Sequence, residues 1–175
     1  MITICFETGE TLDLPLDNLA NSIFSGMELH RAIFDGFDVS GADFTKSNLR
    51  NASFNYSILS GAVLHGAALM NATLVGAQMK KVDLSGVVAI GADFTEADLS
   101  LSDLRSADVC GAIFIRANLC GVNFEVERIE GALFSGAIYN EFTVWPKGFD
   151  PVMFGARLCT KSAETNLKPI NIEIQ

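Results

Sequence analysis

Residues 42–61 read ADFTK SNLRN ASFNY SILSG, and the five-residue block they repeat decides the architecture. The third residue of each block is large and apolar (Phe44, Leu49, Phe54, Leu59), and the first is small (Ala42, Ser47, Ala52, Ser57). Followed outward in both directions, every fifth residue from Phe24 to Tyr139 is Phe, Leu, Ile, Val, Met or Tyr, with the single exception of Ala89. Most of the 15 glycines fall at the fifth place of the block. A period of five is neither the 3.6 of a helix nor the 2 of a flat strand, so neither element keeps the large residue on one side over this length. The chain must therefore turn every five residues, with a short extended piece facing small and large residues inward and a tight turn whose positive φ suits glycine.

Four such sides close one coil of about twenty residues, and positions twenty apart then stack in columns. Phe24, Phe44 and Phe124 share one column, while Phe34, Phe54, Phe94, Phe114 and Phe134 share the opposite one. The columns between them hold Leu29, Leu49, Leu69, Ala89, Val109 and Ile129 on one side and Val39, Leu59, Met79, Leu99, Leu119 and Tyr139 on the other. Two aromatic walls separated by two aliphatic ones are what close packing of a fixed cross-section requires. Ala89 fits because Val87, its inward neighbour, is larger than the usual alanine, so volume lost at one position returns at the other.

The runs A-D-F-T at Ala42 to Thr45, A-D-F-T-E at Ala92 to Glu96, A-D-L-S at Ala97 to Ser100 and A-N-L-C-G at Ala117 to Gly121 resemble the A(D/N)LxG pattern of the pentapeptide-repeat family. The resemblance extends over residues 22–139 and implies an all-β fold, the family's right-handed quadrilateral parallel β-helix. At about 4.8 Å per coil, roughly six coils make a rod on the order of 30 Å long. An N-terminal cap over 1–21 is expected, with β-like pieces at Thr3 to Phe6 and Thr11 to Leu14, because a β-helix otherwise ends on unpaired backbone. A C-terminal cap and tail is expected over 140–175, where the period is lost and the only Trp lies. That segment resembles the tail of cyanobacterial pentapeptide-repeat proteins and implies a cyanobacterial or related source.

Composition narrows the function. Hydrophobic residues are 49% of the chain, yet no run approaches the 18 or so uninterrupted apolar residues of a membrane helix, so no membrane partner is expected. The N-terminus MITICFETGE lacks the pattern of a secretory signal, and the expectation is a cytoplasmic protein. A net charge of −9 opposes direct nucleic-acid binding, which draws its affinity from Lys and Arg on phosphates. Cys5, Cys110, Cys120 and Cys159 have no CxxC spacing, so free thiols and no metal are expected; Cys110 and Cys120 fall outward on opposite walls and cannot bridge one another.

Catalysis needs convergent groups, and the repeat disperses them. His30 and His65 lie on different sides, and Asp93, Asp98, Asp103 and Asp108 fall on four successive walls. In the family, Asp or Asn at this place commonly bonds to its own turn. No catalytic residue, cofactor or enzyme activity is expected. Glu127 is the one misfit, a carboxylate where a small inward residue belongs, and a local bulge or solvent access is expected near Glu127 to Glu130, either a notch for a partner or a loosened last coil.

The expected function is a non-catalytic rod that binds a so far unidentified protein, as a monomer or weak homodimer. Outward apolar residues supply two candidate patches: Ala68, Met70, Val88 and Ile90, with Lys80 and Lys81 near its rim, and Ile113, Ile115 and Leu133. The alternative follows from the family, some of whose members mimic DNA and occupy the DNA site of gyrase: an inhibitor or protector of a type II topoisomerase. A mimic needs acidic rows along the rod. Here Asp43, Asp83 and Asp103 make a row broken by Val63 and Asn123, with 13 acids against 8 bases over residues 22–139.

Overall fold

The computed structural model describes residues 1–160. From Ile23 to Ile138 the backbone repeats one ladder: residue n bridges residue n + 20 in parallel, beginning with Ile23 to Asp43 and continuing at every fifth residue. At each bridge the middle residue of a side binds one neighbour and its flanks bind the other. The Asp43 N–H donates to the Ser22 C=O at 2.9 Å, and the Phe44 N–H donates to the Val63 C=O at 2.7 Å. A tight turn then closes within the side, as where the Ser47 N–H donates to the Phe44 C=O at 3.0 Å.

These turns need a left-handed residue. Every fifth residue from Asn21 to Gly136 has positive φ except Val126, and several are not glycine, among them Lys46, Tyr56, Glu96 and Leu101. Each such side chain costs on the order of 1 kcal/mol against the backbone's preference. The ladder around it has to supply that energy, which it does through a hydrogen bond on each side.

The lumen is filled. The large and small inward residues from Phe24 to Ala137 are almost all fully buried, and the three serines among them each donate to a carbonyl: Ser47 to Phe44 (2.7 Å), Ser57 to Phe54 (2.6 Å) and Ser102 to Met79 (2.6 Å). A buried hydroxyl is tolerated only when paired. The two phenylalanine columns meet across the lumen. Phe34 and Phe54 stack at 4.7 Å within their column, while Phe44 meets both edge-on at 5.6 Å. Leu64, Leu74, Leu84 and Leu104 separate this aromatic group from a second one around Phe94, Phe114, Phe124 and Phe134.

Both ends depart from the ladder. β1 (Ile2–Phe6) and β2 (Thr11–Leu14) form an antiparallel hairpin, and β1 pairs antiparallel with β3 (Ala32–Ile33), burying Ile4 against the first coil. At the other end the register slips by one: Asn123 bridges Val144, and Trp145 lies over Phe124 with centroids 5.2 Å apart. Phe149 stacks on Trp145, Pro151–Phe154 make a 3-10 turn capped by the Asp150 side chain, and β4 (Ile138–Tyr139) pairs in parallel with β5 (Arg157–Leu158). Residues 161–175, the end of the expected tail, lie outside the described residues.

Glu127 sits at a bulge. The Val126 N–H folds back to the Phe124 C=O at 2.7 Å, and Glu127 rather than the next residue donates to the Ala107 C=O. This one-residue slip exposes Glu127 and packs Val126 against the core instead, so no carboxylate is buried. The cost of an unpaired buried charge is what makes the slip favourable.

Candidate functional site

The aspartates of the repeat are spent on the fold. Asp43, Asp83, Asp93, Asp98, Asp103 and Asp108 each accept the backbone N–H two residues on, at 2.8 to 3.2 Å. The Thr45 hydroxyl and amide hold the Asp43 carboxyl below its ordinary value. Asp103 is lowered chiefly by the Arg105 guanidinium, which chelates both its oxygens. Arg116 pairs with Glu96 and Arg128 with Asp108, so basic groups interleave with the acids along the rod. Asp98→Ser is accordingly expected to cost about 1–2 kcal/mol in a urea melt, since at a partly exposed site it loses one bond within its turn, from Ser100, and one from Asn118 on the next coil.

His30 contacts the Asn51 side chain and His65 the Ser85 hydroxyl, and neither approaches a carboxylate or thiol in a catalytic arrangement. Among the described residues no group of three His, Cys, Asp or Glu could hold a metal, and no helix is long and apolar enough to cross a membrane. A groove of about 550 Å³ runs beneath the first coil, lined by Leu14, Leu16, Ile23, Phe24 and Met27 among others.

The two outward patches differ in relief. Ala68 bridges Val88 on adjacent coils, with Met70 and Ile90 beside them, but all four are half-buried and flush with the wall. Ile113 bridges Leu133 in the same way; Ile113 and Ile115 are half-buried, whereas Leu133 is 49% exposed. Beyond it the Gly136 N–H donates to the Gly155 C=O at 2.9 Å, and the 3-10 turn Pro151–Phe154 lies at the end of the rod with Phe154 stacked on Phe149. Val152, Met153 and Phe154 are exposed there, Met153 at 80%. Their exposure is not legible in the sequence, because outside the period nothing distinguishes inward from outward residues.

With this geometry the comparisons agree. The Pentapeptide repeats family matches residues 18–51, 47–86 and 87–125, with 8 copies of its repeat. The chain belongs to the pentapeptide-repeat family, whose fold is the right-handed quadrilateral β-helix. Among solved structures it is similar to HetL, a pentapeptide repeat protein involved in heterocyst differentiation regulation from the cyanobacterium Nostoc sp. strain PCC 7120, with 30% identity and a TM-score of 0.54. That match covers 70% of this chain and 59% of HetL, so the chain spans less than two-thirds of that protein's length. A pentapeptide repeat protein from the Arabidopsis thaliana thylakoid lumen matches with 30% identity, a TM-score of 0.45, and coverage of 62% of this chain and 68% of its own. Rfr23 from the cyanobacterium Cyanothece 51142 matches with 27% identity and a TM-score of 0.24, covering 62% of this chain and 64% of its own. No curated protein matches the chain.

Proposed function

We propose that this chain is a non-catalytic rod of about six coils, capped over 1–21 and, among the described residues of its C-terminal segment, over 140–160, that binds a protein partner through its outer walls. The observation that carries this reading is the outward apolar wall of Ile113, Ile115 and Leu133, with Met153 and Phe154 exposed in the turn at the same end of the rod. Contiguous exposed apolar surface tends to mark contacts, and every acidic row on the rod is broken or paired with arginine. The flush patch of Ala68, Met70, Val88 and Ile90 ranks second. A monomeric or weakly dimeric state, a cytoplasmic setting and a cyanobacterial source complete the proposal.

The test is an affinity pull-down from a cyanobacterial lysate with the wild type beside a Leu133→Glu, Met153→Glu double variant, washed at low and high salt. An apolar contact resists salt, whereas a charge mimic's contact is screened. The wild type is expected to retain a protein at high salt that the variant loses roughly tenfold or more, a difference of about 1.4 kcal/mol. Both sites being exposed, the variant should melt within about 0.5 kcal/mol of the wild type. A DNA-handling enzyme retained at low salt only, and equally by both forms, would overturn the apolar-wall reading in favour of mimicry.

A further inference from the structure

The two ends of the rod differ in how their last strand is covered. At the N-terminal end β1 lies antiparallel against β3 and shields the edge of the first coil on that wall. At the C-terminal end β5 is the last layer, paired with β4 on one side and with no strand among the described residues on the other. Leu158 follows Leu119 and Tyr139 in their inward column, Ala156 follows Ala137, and Arg157 follows Ile138 on the outward face.

The Arg157 N–H donates to the Ala137 C=O at 2.8 Å and the Cys159 N–H to the Tyr139 C=O at 2.6 Å, both toward the coil beneath. Backbone groups alternate in direction along a strand, so the Leu158 N–H and C=O point the other way, past the end of the rod. In the column below, the Leu119 N–H donates to the Ile138 C=O at 2.7 Å, whereas the Leu158 N–H has no such partner among the described residues. Leu158 is 51% exposed, although Leu99 and Leu119 in the same column are fully buried. The edge is therefore unpaired and apolar at once. Arg157 beside it is exposed and forms no ion pair among the described residues.

The sequence past Thr160 carries a pattern that fits this edge. Residues 170–174, outside the described residues, read Ile-Asn-Ile-Glu-Ile, the strict alternation of a half-buried strand. Ile172 comes fourteen residues after Leu158, too soon for the same wall of a further coil, which recurs every twenty, but ample for a chain that turns back. An antiparallel register with Ile172 opposite Leu158 sets Ile174 opposite Ala156 and Glu173 opposite Arg157. Apolar residues then meet on the inward face and opposite charges on the outward one, the cross-strand pairs that stabilise a sheet. A slip of one residue would put Glu173 over Leu158 or Ala156, and a slip of two would put Asn171 or Gln175 opposite Arg157. We propose that residues 170–174 of the same chain add to β5 as an antiparallel strand in this register, closing the C-terminal end of the rod as β1 closes the other. Covered in this way, the edge is withheld from strands of other molecules.

The experiment measures residue-resolved amide exchange of the full chain beside Ile172→Pro, which removes the N–H that would bond to Leu158, with sedimentation at two protein concentrations. The Leu158 amide is expected to exchange roughly tenfold or more slowly in the wild type than in Ile172→Pro, in a monomer, while the Ile138 amide, bonded to Ala117 in the coil beneath, is unchanged. Glu173→Arg should quicken exchange at Leu158 roughly threefold, and Arg157→Glu added to it should restore the wild-type rate, because the swap rebuilds the cross-strand pair. Equal exchange at Leu158 in wild type and Ile172→Pro would overturn the proposal. So would protection that appears only at concentrations where the protein dimerises, which would give the edge to a second copy.

Discussion

Leu69→Asp is expected to destabilise the protein by about 5 kcal/mol, a large part of the 5–15 kcal/mol that a domain of this size has. Leu69 is fully buried in an aliphatic column between Leu49 and Ala89, its N–H donating to the Val88 C=O at 2.7 Å. Replacement removes about 1.5–3 kcal/mol of apolar burial and puts a carboxyl group where every neighbouring backbone polar group is already paired. The carboxyl must stay protonated or drag water into the lumen, and either outcome adds about 1–3 kcal/mol or more. Met70→Glu is the matched control. Met70 is the next residue along, half-buried and pointing outward, and should change stability by less than about 1 kcal/mol. Urea melts of the two variants beside the wild type settle it: equal midpoints for Leu69→Asp and wild type would refute the inward assignment of the whole column.

That such a contrast between adjacent residues could be drawn from sequence reflects how the repeat constrains itself. Each inward residue is tested against others twenty and forty places away, so Phe34 and Phe54 predict one another, and the edge-to-face contacts with Phe44 follow from columns already legible. Glu127 could be recognised as a misfit because the rule it breaks is strict; the slip that moves Val126 inward needed the hydrogen bonds. Beyond Tyr139 this check vanishes. Nothing in the sequence says that the register shifts by one between Asn123 and Val144, that Trp145 lies over Phe124, or that Met153 faces out. Cys159, too, acquires a column address only when β5 pairs with β4. The N-terminal hairpin was half legible: its strands alternate, but its antiparallel docking on Ala32 and Ile33 is a long-range contact that no local pattern announces.

Phe114→Ala is the second change expected to have a large effect, at about 4 kcal/mol. Phe114 stacks between Phe94 at 5.0 Å and Phe134 at 5.3 Å and meets the edge of Phe124 at 5.2 Å, so it is the hub of the C-terminal aromatic group. Truncation in a buried site costs about 3–5 kcal/mol, because a lumen walled by hydrogen-bonded coils cannot collapse onto the cavity. Phe114→Leu should cost much less, about 1–2 kcal/mol, losing the aromatic contacts but little volume. Leu74 occupies the same column between Phe54 and Phe94, which shows that the cross-section accepts leucine. The loss should also be local, since stacked coils are stabilised mainly by their nearest neighbours. Amide exchange is therefore expected to quicken at the bridges joining Asp93, Ile113 and Leu133 in Phe114→Ala, while those joining Asp43 and Val63 keep their protection. Uniform loss of protection along the rod would mean that the coils unfold as one unit and that the two aromatic groups are coupled through Leu64, Leu74, Leu84 and Leu104.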